Sequence, residues 1–170
     1  VCYGIVVKKD DGTFDAITAN YTVLASGGIG GIYRYSTNYR HLTGDAIALA
    51  LKHRIELKNT NYVQIHPTTF YTENETDRSF LISESVRGEG AVLLDKKMER
   101  FTDELQPRDV VTGEIRKQMK KDGTDFVWLS MKPIDREQLE SHFPNIVKHC
   151  REYGYNVPDD CIPVVPAQHY

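Results

Sequence analysis

The chain has 170 residues, with 24 acidic and 21 basic side chains, a formal charge of −3, and 40% hydrophobic and 26% charged residues. A chain of that length buries roughly two thirds of its unfolded surface, so its core needs neither disulfides nor a metal. The slightly acidic balance argues against a nucleic-acid or anionic-membrane surface as main partner, and no stretch approaches the ~20 apolar residues that span a bilayer. The start, Val1-Cys2-Tyr3-Gly4, is not a signal peptide. With no initiating Met and a stop at Tyr170 after a Pro-rich run, the sequence reads as an internal piece of a longer protein.

The first 26 residues read as a small β-meander. Gly4-Ile5-Val6-Val7 is β-branched, Asp11-Gly12 is a hairpin signal, Phe14–Thr18 alternates, and Tyr21–Ala25 reads as a third, fully buried strand. That strand feeds Ser26-Gly27-Gly28-Ile29-Gly30-Gly31. A helix follows from Thr43-Gly44-Asp45, with Thr43 as N-cap and Ala46, Ile47, Ala50 and Leu51 on one face. Val63, Ile65 and Phe70 lie in an extended segment that Pro67 bends or confines to an edge.

Pro107 sits in the first turn of the next helix, whose buried stripe is Val110, Val111, Ile115 and Met119 and whose end is Asp122-Gly123. Phe126–Leu129 is a strand. Asp135 with Gln138 forms a capping box, and Pro144 opens a last helix through Cys150. Helices and strands are interspersed, so the fold class is α+β. Cys2, Cys150 and Cys161 are an odd number without CxxC spacing, which suggests neither a disulfide framework nor a zinc site. Reduced thiols imply the cytosol.

Four places could carry chemistry. Glycines in Gly27-Gly28-Ile29-Gly30-Gly31 allow close backbone approach to a phosphate or a flat ring, although a tight turn without ligand reads equally well. His66 and His169 are each structural or functional on their own evidence, and no further ligands at metal spacing accompany them. In Ser83–Gly90, Glu84 and Arg87 are three apart, which makes either a surface ion pair or a partly buried carboxylate–guanidinium relay. Asp109 suits a helix start, whereas Arg108 beside it opposes the helix dipole, and that conflict points to function.

Six segments then resemble, in order and at near-family spacing, the flavoprotein family of L-aspartate oxidase, fumarate reductase and succinate dehydrogenase. They are Val23–Gly28, Thr43–Asp45, Gln64–Thr68, Leu81–Ala91, Pro107–Val111 and Pro166–Tyr170. Tyr33–Asn38, Ser83 and Pro107 before Arg108 look most like the L-aspartate oxidase branch. The resemblance implies residues 1–58 as the end of an FAD-binding domain segment, 59–167 as a substrate-capping domain and 168–170 as the start of the return to the FAD-binding domain. It also implies non-covalent FAD, with Gly27, Gly28 and Asp45 on the cofactor side. Gln64, His66, Ser83 and His169 would hold a C4 dicarboxylate, with L-aspartate as substrate and fumarate or succinate as analogues.

Arg108 would exchange the proton, with Glu84 and Arg87 as its relay. The implied reaction is hydride transfer from Cα of L-aspartate to the flavin, giving iminoaspartate for NAD biosynthesis, with oxygen or fumarate as acceptor and quinolinate synthase as pathway partner. The family's amino-terminal GxGxxG element and second substrate arginine are not in these residues. These 170 residues alone are therefore expected to bind FAD weakly or not at all and to be inactive. Two other readings stay open: the fumarate reductase or succinate dehydrogenase branch, and a non-catalytic dicarboxylate-binding cap.

Overall fold

The computed structural model describes residues 2–74 and 77–170; Val1, Glu75 and Thr76 lie outside the described residues, and none of them is a candidate site residue. Strands β1 (Gly4–Lys8) and β2 (Phe14–Thr18) form an antiparallel hairpin in the register Gly4↔Thr18 to Lys8↔Phe14. At its turn Gly12 takes φ 84° and Asp11 Oδ1 accepts from Thr13 N at 2.9 Å, an Asx turn. The expected meander stops there. Tyr21–Ala25 is not a strand, and Tyr21 and Val23 are 91% and 85% exposed. An apolar run reads as a buried strand only if a partner edge is present, and among the described residues none pairs with it.

Helix α1 (Asp45–Lys52) starts where expected, but its N-cap is Gly44 at φ 89°, not Thr43. Thr43 Oγ1 instead donates to Asp45 Oδ1 at 3.2 Å. Of its apolar face only Ala50 is buried, and Leu51 is exposed.

The rest builds one sheet with helices packed on it. Strands β3 (Ile65–Phe70), β4 (Val92–Leu94), β5 (Val127–Ser130) and β6 (Ile162–Gln168) run antiparallel in the order β3-β6-β5-β4. Strand β6 is internal although it carries Pro163 and Pro166. The β3–β6 register shifts between His66 and Thr69, whose partners are Ala167 and Val165, so Pro67 and Pro166 both fall at the irregularity. A bulge is where a missing N–H costs least.

Helix α2 (Glu84–Gly88) is capped by Ser83, whose side chain accepts from Ser85 N. Helix α3 (Arg108–Asp122) is long and ends on Gly123 at φ 68°, a left-handed C-cap. Its stripe is Val111 and Ile115, both fully buried, with Thr112 and Gln118 rather than Val110 beside them. Helix α4 (Arg136–His142) begins on Asp135, which accepts from the N–H groups of Glu137 and Gln138. The Gln138 side chain leaves the expected box and donates to Glu89 Oε2. Helix α5 (Pro144–Glu152) follows.

Ile82, Val86, Leu93, Val111, Ile115, Leu129, Leu139, Ile162 and Val164 pack into one core, drawn wholly from residues 70–164. In contrast, residues 3–62 expose Tyr3, Val6, Phe14, Ile32, Leu51 and Tyr62. Cys2, Cys150 and Cys161 are free, and burial pushes the Cys150 thiol up to about 12.

Candidate active site

The fold brings together residues that the sequence spreads over more than a hundred positions. His66 sits on β3 at the bulge, and His169 lies one residue beyond β6. Main-chain pairing continues past both strands: His169 N donates to Gln64 O at 2.9 Å and Gln64 N donates to Tyr170 O at 2.6 Å. Gln64 and His169 are thereby set across from each other, and the rings of His66 and His169 meet edge to face with centroids 5.3 Å apart.

The amino-terminal ends of α2 and α3 complete the cluster. Arg108, first residue of α3, donates from Nε to Glu84 Oε2 at 2.8 Å and from Nη1 to Gln64 Oε1 at 2.8 Å, while its Nη2 lies 2.7 Å from the same Glu84 oxygen. Glu84 is the first residue of α2. His66, Ser83, Glu84, Arg108 and His169, with Leu81, line one cleft of about 450 Å³. Ser83 and His169 also line an adjoining cleft of about 630 Å³ with Thr37, Asn38, His142 and Phe143. A tighter cavity of about 210 Å³, between Arg34, Arg40, Arg78, Phe80 and His149, holds none of the candidate residues.

Arg87 stands behind this cleft. It is 2% exposed, and its Nη1 donates to the main-chain oxygen of Glu104. Its Nη2 is 3.9 Å from Glu84 Oε1, a long ion pair, and neither Nε nor Nη2 has a hydrogen-bond partner among the described residues. Burial therefore lowers the Arg87 pKa from its ordinary value despite Glu84 nearby.

The electrostatics follow from the same geometry. The hydrogen bond from Arg108 pulls the Glu84 carboxyl below its usual value, against a smaller opposing effect of burial. Burial, reinforced by Arg108, His169 and Arg87, lowers His66 to about 4. Burial and Arg108 lower His169 in the same direction. Both imidazoles are thus neutral at pH 7, and the cleft's positive charge resides on the guanidinium groups. As neutral rings they can offer an N–H as a hydrogen-bond donor.

Gly27, Gly28 and Asp45 line neither cleft. Gly27 takes φ 82°, and a Cβ added at Gly28 would meet nothing within 4 Å. It is Gly30 that touches the cluster, because a Cβ there would collide with Asn38 Nδ2 and Gln168 Oε1. Sequence reasoning missed Thr37, Asn38 and Gln168, although all three lie within the segments Tyr33–Asn38 and Pro166–Tyr170 that carry the resemblance. Among the described residues no group of three His, Cys, Asp or Glu is arranged to hold a metal ion.

A family model described as FAD binding domain matches residues 1–170, the whole chain. The chain belongs to the FAD binding domain family. Within this FAD-binding family it is 46% identical over 170 residues to an L-aspartate oxidase of Clostridium acetobutylicum, and 46% identical over 169 residues to that of Clostridium perfringens. It is 41% identical over 184 residues to a chloroplastic L-aspartate oxidase of Oryza sativa subsp. japonica. These matches cover 100%, 99% and 99% of the chain but only 39%, 38% and 28% of the relatives, so the chain spans well under half of their length.

Among solved structures, E. coli quinol fumarate reductase FrdA, in a mutant form, superposes with TM-score 0.80 at 30% identity, covering 93% of this chain and 30% of that one. Mycobacterium smegmatis Sdh1 in complex with UQ1 gives TM-score 0.69 at 31% identity, covering 93% of this chain and 28% of that one. The mixed α and β architecture is that of this flavoprotein family. No described helix is long and apolar enough to cross a membrane.

Proposed function

We propose that these residues form the substrate side of an FAD-dependent L-aspartate oxidase that converts L-aspartate to iminoaspartate. The observation that carries this reading is the convergence of Arg108, Glu84, His66, Ser83 and His169 on one cleft, with Gln64 hydrogen-bonded to Arg108. Identity of 46% to two L-aspartate oxidases supports the branch. Residues 59–167 act as the capping domain, residues 1–58 as part of the FAD-binding domain, and residues 168–170 begin the return to it. The confinement of the core to residues 70–164 supports that division.

The residues fit their tasks. Two neutral imidazoles and the Ser83 hydroxyl offer hydrogen bonds to carboxylate oxygens, and Arg108 adds charge without the cost of ionising a buried histidine. Arg108 is in turn oriented by Glu84 and Gln64, which fixes its guanidinium plane before substrate arrives. Glu84, held anionic by Arg108, is placed to take up a proton from it, and Arg87 behind it is the next member of that relay. The cap excludes water from the cleft when closed.

The glycine segment fits a flat cofactor. Gly28 leaves its backbone open on the side where a Cβ would stand, and Gly27 holds the left-handed turn that presents it. Gly27, Gly28 and Asp45 would hold FAD there. When bound, FAD accepts the hydride. The protein works in the cytosol, with oxygen or fumarate as final acceptor, and feeds quinolinate synthase in NAD biosynthesis. These 170 residues alone bind FAD weakly or not at all.

The fumarate reductase or succinate dehydrogenase branch is the second reading, favoured by the TM-score of 0.80 to an E. coli quinol fumarate reductase. Assays of the whole flavinated protein with L-aspartate and with succinate separate the two. Iminoaspartate formation that Arg108→Lys abolishes is the expected result. Succinate oxidation without aspartate turnover would select the second reading, and near-normal turnover in both Arg108→Lys and Glu84→Gln would sink the relay.

A further inference from the structure

The segment just after the glycine cluster is bound to the end of β6. Gln168 N donates to Tyr35 O and Thr37 N donates to Gln168 O, each at 2.9 Å, and Ser36 bridges Gln168 in parallel. Side chains reinforce the main chain. Ser36 Oγ donates to Gln168 Oε1 at 2.7 Å, and Asn38 Nδ2 donates to the same oxygen at 2.9 Å and to His169 O at 3.1 Å. Ser36 and Gln168 are buried. Thr37 and His169 are therefore held side by side by backbone contacts on either flank, and Thr37 Oγ1 lies 2.7 Å from His169 Nδ1.

We propose that Thr37 is a positioning residue for His169: its hydroxyl donates to Nδ1 and leaves Nε2–H as the ring's donor to a substrate carboxylate. The inference rests on the dicarboxylate reading above and adds to it the group that selects the tautomer. A neutral imidazole has one N–H, and whichever nitrogen accepts a hydrogen bond cannot donate. With Nδ1–H, the ring would turn a lone pair toward a carboxylate and repel it.

His66 shows the same arrangement by a different route. Its Nδ1 accepts from Thr68 N–H at 3.2 Å, while Thr68 O, 3.1 Å away, already receives the N–H of Ile82. The acceptor role at Nδ1 satisfies all of these buried groups, and the opposite tautomer would leave the Thr68 N–H facing another N–H. Both rings of the edge-to-face pair thus have Nδ1 engaged by a threonine, through the main chain at Thr68 and through the side chain at Thr37. The backbone guarantees the first. The second depends on a hydroxyl at position 37.

The test uses the whole flavinated protein carrying this chain, labelled with 15N-histidine, with malonate as an unreactive dicarboxylate probe. Wild type and Thr37→Ser should show His169 protonated at Nε2. Thr37→Val should mix or reverse the tautomers, weaken malonate about 10-fold or more and raise KM for the substrate in step while kcat changes less. Thr37→Ala serves the same comparison should the valine variant not fold. An unchanged His169 tautomer and unchanged malonate affinity in the variants lacking the hydroxyl would overturn the proposal. A changed tautomer with unchanged malonate affinity would leave the grip of Thr37 on the ring standing and overturn the dicarboxylate reading instead.

Discussion

Arg108 grips a single oxygen of Glu84 with two nitrogens, Nε at 2.8 Å and Nη2 at 2.7 Å, and so ties the first turn of α3 to the first turn of α2. This contact explains the cation at a helix start. The dipole of α3 disfavours positive charge there by a few tenths of a kcal/mol, and a two-nitrogen contact to a carboxylate more than offsets it. It also leaves Nη1 for Gln64, so one guanidinium joins three segments of the cleft.

Glu84→Gln should separate the structural and chemical roles of that pair. The folded pKa of Glu84 lies below its ordinary 4.5, so its contribution to stability is present at neutral pH and fades as pH falls below about 4.5 through the depressed value. Because Glu84 is about half exposed, that contribution stays under about 1 kcal/mol. Urea midpoints at neutral pH and at about pH 4 should converge for the variant relative to wild type. Turnover should drop about 100-fold if Glu84 serves proton exchange.

His66 sets a steeper pH dependence. Its pKa of about 4 against an ordinary 6.5 means that the unfolded chain binds a proton that the folded one refuses. The benefit is full above pH 6.5 and is lost as pH falls toward 4, at most about 3 kcal/mol. His66→Gln, which cannot titrate, should flatten the stability curve over that interval. A wild-type curve already flat between these values would contradict the buried neutral ring.

Arg87 carries buried charge with incomplete partnership. Replacing such a group by an apolar one of similar reach is often neutral or stabilising. Arg87→Met should therefore unfold within about 1 kcal/mol of wild type or at higher denaturant, while turnover falls because Glu84 loses a neighbouring cation. Loss of more than about 3 kcal/mol would show instead that the Glu104 main-chain contact carries the local fold.

Two glycines a turn apart should respond in opposite ways. Gly30→Ala drives a methyl into Asn38 and Gln168 and should destabilise by about 1–3 kcal/mol, with loosening at His169. Gly28→Ala meets nothing within 4 Å and should leave the melting temperature unchanged. In the whole protein Gly28→Ala should nevertheless lower the ratio of flavin to protein absorbance. Full flavin content in that variant would remove Gly28 from the cofactor site.

Much of the framework was legible residue by residue. Pro107 and Gly123 mark α3, Asp135 starts α4 and Pro144 starts α5, because these signals act within one turn of the chain. Strand β6 was hidden by Pro163 and Pro166; Pro166 falls at the irregularity that β6 shares with β3, whereas Pro163 sits opposite Trp128 of β5. Tyr21–Ala25 failed the other way: its apolar run announces burial, yet no described strand pairs with it.

The candidate residues Arg108, Glu84, Gln64, His66, Ser83 and His169 could be picked from the sequence because each stands in a recognisable motif or breaks a local rule. Nothing local could show that Arg108 reaches both Glu84 and Gln64, that the histidine rings meet at 5.3 Å, or that burial makes them neutral. Those facts depend on β3 pairing with β6 across a hundred residues and on α2 and α3 starting at one place. Thr37 was invisible as a site residue for the same reason: its hydroxyl matters only where β6 ends. By itself the sequence determined which residue types were available and which helices and turns they favour, because those preferences are short-ranged. Only the tertiary structure decided which groups share a cleft and which protonation state each holds, because desolvation and charge proximity belong to the packed chain.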